Sequence, residues 1–129
     1  MKLLFELRPV DHLEASVDYY RELGLEPMAW PDDDTVLLAP LGAAEPTLAL
    51  MRDPAEAALG TGGVYEVGDV DEYYADHPDL DWLVAPADST LGRYAVFADR
   101  TGLPMRLLDP DPRVPAGAAG WLTAVAVAS

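Results

Sequence analysis

Residues able to carry reactive chemistry are few in this chain. Of its 129 residues none is cysteine and only two are histidine, which excludes a thiol nucleophile, a disulfide and a thiolate metal site. A divalent-metal centre needs imidazole and carboxylate ligands converging on one ion, with positions left open for substrate. His12 falls in the first turn of an expected helix and His77 in a loop after a second one, and neither has a second histidine or a strand-borne carboxylate placed to join it. The run Asp32-Asp33-Asp34 lacks the alternating Asp and Gly of a calcium loop and reads as a hairpin tip. No G-x-S-x-G, Walker or G-x-G-x-x-G pattern occurs. Gly60-Thr61-Gly62-Gly63 runs into a strand rather than a helix, so it lacks the context for phosphate binding. Arg106 stands out for the opposite property: its guanidinium is cationic at every working pH and cannot ligate a cation.

Charge narrows the partners. The formal net charge of -15 repels phosphate backbones and anionic lipid surfaces, so neither nucleic acid nor membrane is an expected partner. The same field attracts cationic small molecules, and it is equally what a soluble acidic surface produces. With 50% hydrophobic residues the chain has material for a core, and its length fits one domain. The start, Met1 to Glu6, meets a glutamate before any signal-type apolar core develops, and no run reaches membrane-spanning length. A cytoplasmic location is the expectation.

The elements that must position any site repeat themselves. Leu3, Phe5 and Leu7 alternate with polar residues as in a half-buried strand. Asp11 with Glu14 resembles a capping box, Leu13, Val17 and Tyr20 fall on one helical face, and Gly24 supplies the stop. Short apolar pieces at 25–30, 35–39 and 47–51, separated by breakers, predict three further strands. The order then restarts: a strand at 64–67, Asp69 with Glu72 as a second capping box, a short helix over 70–76, and strands at 82–85, 93–98 and 103–108. The period is about 57 residues, which points to two fused βαβββ modules rather than a solenoid. The expected organisation is an α+β fold with one module over 1–53, a second over 61–109, and a tail over 110–129 in which Trp121 anchors an added edge strand or an arm on a partner subunit.

Three phrases, in the right order, carry a family resemblance. His12 to Gly24 is similar to D-L-x-x-S-x-x-F-Y followed by L-G; Tyr65 to Asp71 to F-x-V-x-D-V-D; and Asp99 to Gly102 to a D-P-x-G turn. With the doubled βαβββ order over roughly residues 1–109, the chain resembles the vicinal oxygen chelate superfamily of glyoxalases, extradiol dioxygenases and bleomycin-resistance proteins. The resemblance implies two modules whose sheets curve around a cavity, with four strand residues holding an ion on the pseudo-twofold axis. Carried over one at a time, those positions fall on Leu4 or Phe5, near Ala49, near Gly62, and on Arg106, none of which suits a divalent ion. No metal and no other cofactor is therefore expected.

The expected cavity is mainly apolar with a few polar groups, which suits an organic ligand better than an ion. Strand alternation and the resemblance together nominate Phe5, Glu6, Trp30, Met51, Glu66 and Arg106 as ligand-binding residues. Two roles are open for Arg106: binding a ligand carboxylate or planar ring, or neutralising Glu6 or Glu66 inside the barrel. Trp30 and Trp82 occupy corresponding places in the two repeats and fit either a stacking clamp or core and dimer contacts. The leading functional expectation is a metal-independent, homodimeric protein that binds or sequesters an antibiotic or metabolite. The alternative is a metal-dependent lyase, isomerase or dioxygenase of the same superfamily.

Overall fold

A computed structural model describes residues 1–110, in which the chain runs β1 (Lys2–Pro9), α1 (Leu13–Glu22), β2 (Leu25–Asp32), β3 (Thr35–Pro40), β4 (Leu48–Met51), α2 (Pro54–Leu59), β5 (Gly62–Glu66), α3 (Val70–Asp76), β6 (Asp81–Ser89), β7 (Gly92–Ala98) and β8 (Pro104–Pro110). The expected tail and its Trp121 anchor lie, beyond Pro110, outside the described residues. Among the described residues no helix is long and apolar enough to cross a membrane.

All eight strands form one sheet in the order β2-β3-β4-β1-β5-β8-β7-β6. The order reads as two copies of one module joined back to back. β1 and β5 meet antiparallel at the centre, each has the last strand of its own module parallel beside it, and hairpin partners continue outward. A shift of about 57 residues carries the pair Leu7–Ala49 onto the pair Val64–Arg106. The same shift exchanges the two central pairs, Phe5–Val64 and Leu7–Gly62, as a twofold axis between β1 and β5 requires.

Strand alternation sorts the core into a cavity face and a helix face. Phe5, Leu7, Leu37, Ala49, Val64 and Leu108 belong to one cluster on the cavity face. On the other face Leu13 and Val17 of α1 pack on Val36, Leu38, Leu48 and Leu50, and Val70 of α3 packs on Ala95, Phe97 and Leu107. Because β3 and β4 are covered on both sides, their sequences are continuous apolar runs rather than alternations.

Local signals explain most boundaries. Asp69 caps α3 by accepting from the Glu72 amide at 3.0 Å. The first helix differs from expectation, since its N-cap is His12, without a side-chain cap, and Asp11 stands one residue outside. The β7–β8 turn is held by Asp99, whose Oδ1 accepts from Thr101 N, Thr101 Oγ1 and Leu103 N, and Gly102 supplies the positive φ of 86°. The added element is α2, which no periodicity announced: Asp53 caps it through the Ala55 amide at 2.8 Å and Pro54 opens it.

Candidate functional site

The cavity face lines a half-open pocket of about 440 Å³, within the range of small-molecule sites. Its apolar wall comes from Leu7 of β1, Met51 at the end of β4, Leu59 of α2, Val64 of β5, Val84 of β6, Leu91 in the β6–β7 turn and Leu108 of β8. Thr35 from β3, Glu56 from α2 and Tyr94 from β7 add polar groups to these walls, and Asp32, Asp34, Arg52, Asp53, Asp88 and Thr90 mark the more exposed side.

Glu56 is 5% exposed and organises the buried polar part. Tyr94 Oη lies 2.6 and 2.9 Å from its two carboxylate oxygens, and Arg106 Nε donates to Oε2 at 3.1 Å. The same guanidinium donates through Nη2 to the carbonyl of Gly60 at 2.6 Å, just after α2 ends, where a cation is favoured by unpaired carbonyls. Its remaining nitrogen, Nη1, is buried without a partner among the described residues. Burial first, then the Glu56 carboxylate, pushes the Tyr94 phenol well above its ordinary pKa. Tyr94 therefore stays protonated and acts as a donor to Glu56, not as a base.

Across the mouth the two modules touch. Thr90, between β6 and β7, donates to Asp32 Oδ2 at 2.7 Å, and the Asp34 amide donates to Asp32 Oδ1 at 2.8 Å. Burial raises the Asp32 pKa, but the hydrogen bonds from Thr90, Asp34 and Thr35 outweigh it and leave the carboxyl below its ordinary range. Arg52 pairs with Asp34 at 2.8 Å, leaving the rim net acidic.

Of the residues nominated from sequence, Met51 lines the cavity and Phe5 is buried in the cluster on the same face. Arg106 is fully buried, but it sits behind Glu56 rather than on the cavity surface. Glu6 lies on the helix face, because the alternation that turns Phe5 and Leu7 inward turns Glu6 outward, where it pairs with Arg8 at 2.6 Å while Arg8 reaches Tyr20 of α1. Glu66 is also outside the lining; its charge helps hold Asp109 above the ordinary carboxyl range, after burial and Asp69. Trp30 is 44% exposed on an outer strand and does not line the cavity. Trp82 packs with Tyr73, Tyr74 and Phe97 and donates its indole N–H to the His77 carbonyl at 2.9 Å, a core role. The partner of Arg106 is thus Glu56, not Glu6 or Glu66.

The four positions that the resemblance assigns to an ion do not fit one. Phe5 and Ala49 offer no donor atom. A Cβ on Gly62 would come within 3.0 Å of Arg106 Nη1, so the guanidinium already fills the space beside that position. Among the described residues no three His, Asp or Glu side chains are grouped as a metal site requires.

Solved structures with this arrangement of strands settle the fold. One, described as an NAD-dependent benzaldehyde dehydrogenase from Legionella pneumophila, superposes with a TM-score of 0.65 at 17% identity over 80% of this chain and 95% of that one. A glyoxalase/bleomycin resistance protein/dioxygenase superfamily member from Vibrio splendidus 12B01 gives 0.59 at 15% identity over 80% and 94%. The chain has the glyoxalase/bleomycin-resistance/dioxygenase fold. A Mn(II)-bound glyoxalase from Novosphingobium aromaticivorans gives 0.57 at 19% identity, and this chain, aligned over 84% of its length, covers 39% of that larger one. No family model and no curated protein matches the sequence. The fold hosts both metal enzymes and other proteins, so function rests on the residues of the cavity.

Proposed function

We propose that this chain is a metal-independent small-molecule binding protein that holds an organic ligand in the cavity between its two modules. The observation that carries the reading is the pairing of a half-open, largely apolar cavity of about 440 Å³ with a buried Arg106–Glu56 ion pair at the place where an ion would sit. The glyoxalase with the same fold is described as Mn(II)-bound. Here the positions that the sequence resemblance assigns to an ion carry Phe5, Ala49, Gly62 and a guanidinium, a set that supports binding without metal chemistry.

Thermal shift against a library of aromatic antibiotics and metabolites tests this directly, because a ligand that binds only the native state raises the melting temperature. Met51→Trp, which fills the cavity, should abolish the shift produced by any hit. Shifts that survive this substitution place the ligand elsewhere and refute the proposal.

The protein we propose is a homodimer. In support, the outermost strands β2 and β6 have no further strand partner among the described residues, and Leu23 and Leu41 are strongly exposed. Light scattering at tens of micromolar should report twice the chain mass of 13.9 kDa; a monomer would refute it.

A further inference from the structure

We propose that the closed end of the cavity recognises a neutral hydroxyl group on an apolar ring body, with Glu56 of α2 as the acceptor. This rests on the cavity being a ligand site and goes on to name what the ligand must carry.

The argument is a count of donors and acceptors. An ionised carboxylate offers about four lone-pair sites and no proton. Among the described residues Glu56 is approached by two donors: the single Tyr94 hydroxyl proton, set between its two oxygens at 2.6 and 2.9 Å, and Arg106 Nε at 3.1 Å on Oε2. Acceptor capacity is left over, chiefly on Oε1, and Glu56 is a lining residue of the cavity. The Tyr94 proton is committed to Glu56, so the phenol has no proton left to give a ligand. Arg106 still has a donor without a partner, but that nitrogen is aimed at Gly62, 3.0 Å from where a Cβ would stand, and Arg106 is not part of the lining. Thr35, another buried polar residue of the lining, hydrogen-bonds through its side chain to Asp32, so the end formed by Glu56 and Tyr94 accepts hydrogen bonds and donates none.

Charge decides which donor fits. Arg106, wholly buried against Glu56, neutralises the carboxylate in place, so the closed end carries no net charge to attract a cation. The surrounding wall is aliphatic, through Leu7, Met51, Val64 and Leu108. A ligand ammonium would lose its hydration there without a charge to replace it, whereas a hydroxyl needs one acceptor. An anion is disfavoured twice, because it brings no donor and must pass the acidic rim of Asp32 and Asp53.

The test uses three probes that share one ring system and one point of attachment: naphthol, methoxynaphthalene and naphthoate, titrated calorimetrically into the full chain. Naphthol should bind roughly tenfold tighter than methoxynaphthalene, the cost of leaving a buried acceptor unpaired, and naphthoate should be the weakest. Tyr94→Phe leaves the Glu56–Arg106 pair intact and should keep the preference for naphthol. Glu56→Leu, Arg106→Met and Tyr94→Phe combined should lose it while still binding methoxynaphthalene. A preference lost in Tyr94→Phe alone would assign recognition to the phenol and overturn the proposal. So would a preference that persists in the triple variant. If the three probes bind equally and Met51→Trp blocks them, the cavity reading stands and this inference falls. If none binds, the cavity reading fails and takes the inference with it.

Discussion

Glu56 and Arg106 lie 50 residues apart in the chain and meet at 3.1 Å with the guanidinium fully buried. The pair joins α2, the helix that connects the modules, to β8, the strand that closes the second one. It also breaks the twofold symmetry of the sheet, since the position corresponding to Arg106 in the first module is Ala49. A fixed internal cation thus stands on one side of the axis, and its counter-charge is delivered by the linker rather than by the sheet.

Removing one partner should be costly and removing the whole network should not. Glu56→Ala strands a buried guanidinium, and urea denaturation should show a loss of about 3 to 5 kcal/mol. Combining Glu56→Leu, Arg106→Met and Tyr94→Phe takes away every member that would be left unsatisfied, apart from the Gly60 carbonyl, and should return stability to within about 1 kcal/mol of the parent. If Glu56→Ala unfolds at the parent's urea midpoint, the pair does not hold α2 in place.

Gly62 should tolerate no side chain. An added Cβ would stand 2.8 Å from the Pro104 carbonyl oxygen, a backbone atom that cannot swing aside, and 3.0 Å from Arg106 Nη1. Gly62→Ala should therefore cost about 1 to 3 kcal/mol. Gly68, where nothing lies within 4 Å of such a Cβ, is the control. Gly68→Ala should change stability by no more than about 0.5 kcal/mol.

The modules were legible because their signals are local: alternation in β1, Asp69 capping α3, and the Asp99–Gly102 turn each act within a few residues. The outer strands, β2 (Leu25–Asp32) and β6 (Asp81–Ser89), run past the expected 25–30 and 82–85. Pro31 and Pro86 look like breakers, yet both are accommodated where β2 and β6 lie at the ends of the sheet and a missing N–H need not face a partner. α2 escaped because Pro-Ala-Glu-Ala-Ala-Leu is too short to show a period, although Asp53-Pro54 was a readable start signal. With α2 missing, Glu56 could not be placed, and the nearest acidic residues in the strands, Glu6 and Glu66, stood in for it as partners of Arg106. Tyr94 was visible only as a strand residue, because what makes it part of the site is contact with a helix 38 residues away.

The buried Tyr94 phenol should make stability fall at high pH. Its pKa is raised in the native state, so below the ordinary phenol value of 10.0 both states hold the proton and the contribution is intact. Above that value the unfolded chain releases a proton that the native chain retains, and unfolding becomes easier. Between about pH 9 and about pH 11 the parent should lose roughly 1 kcal/mol more than Tyr94→Phe in denaturant titrations. Parallel curves for the two proteins would mean that the phenol is not shielded as described.

Added divalent ions should leave this protein unchanged. Phe5 and Ala49 have no donor atoms, Gly62 has no side chain, and Arg106 carries its own positive charge at the fourth position, so an ion there would meet repulsion in addition to missing ligands. Elemental analysis after purification without chelator should give well under one equivalent of zinc, nickel, iron or manganese per chain. Titrating these ions should neither raise the melting temperature nor produce glyoxalase or dioxygenase turnover, since only binding to the native state shifts the unfolding equilibrium upward. A stoichiometric ion that a chelator removes, with loss of ligand binding or of a measurable activity, would overturn the metal-independent reading and restore the enzyme alternative.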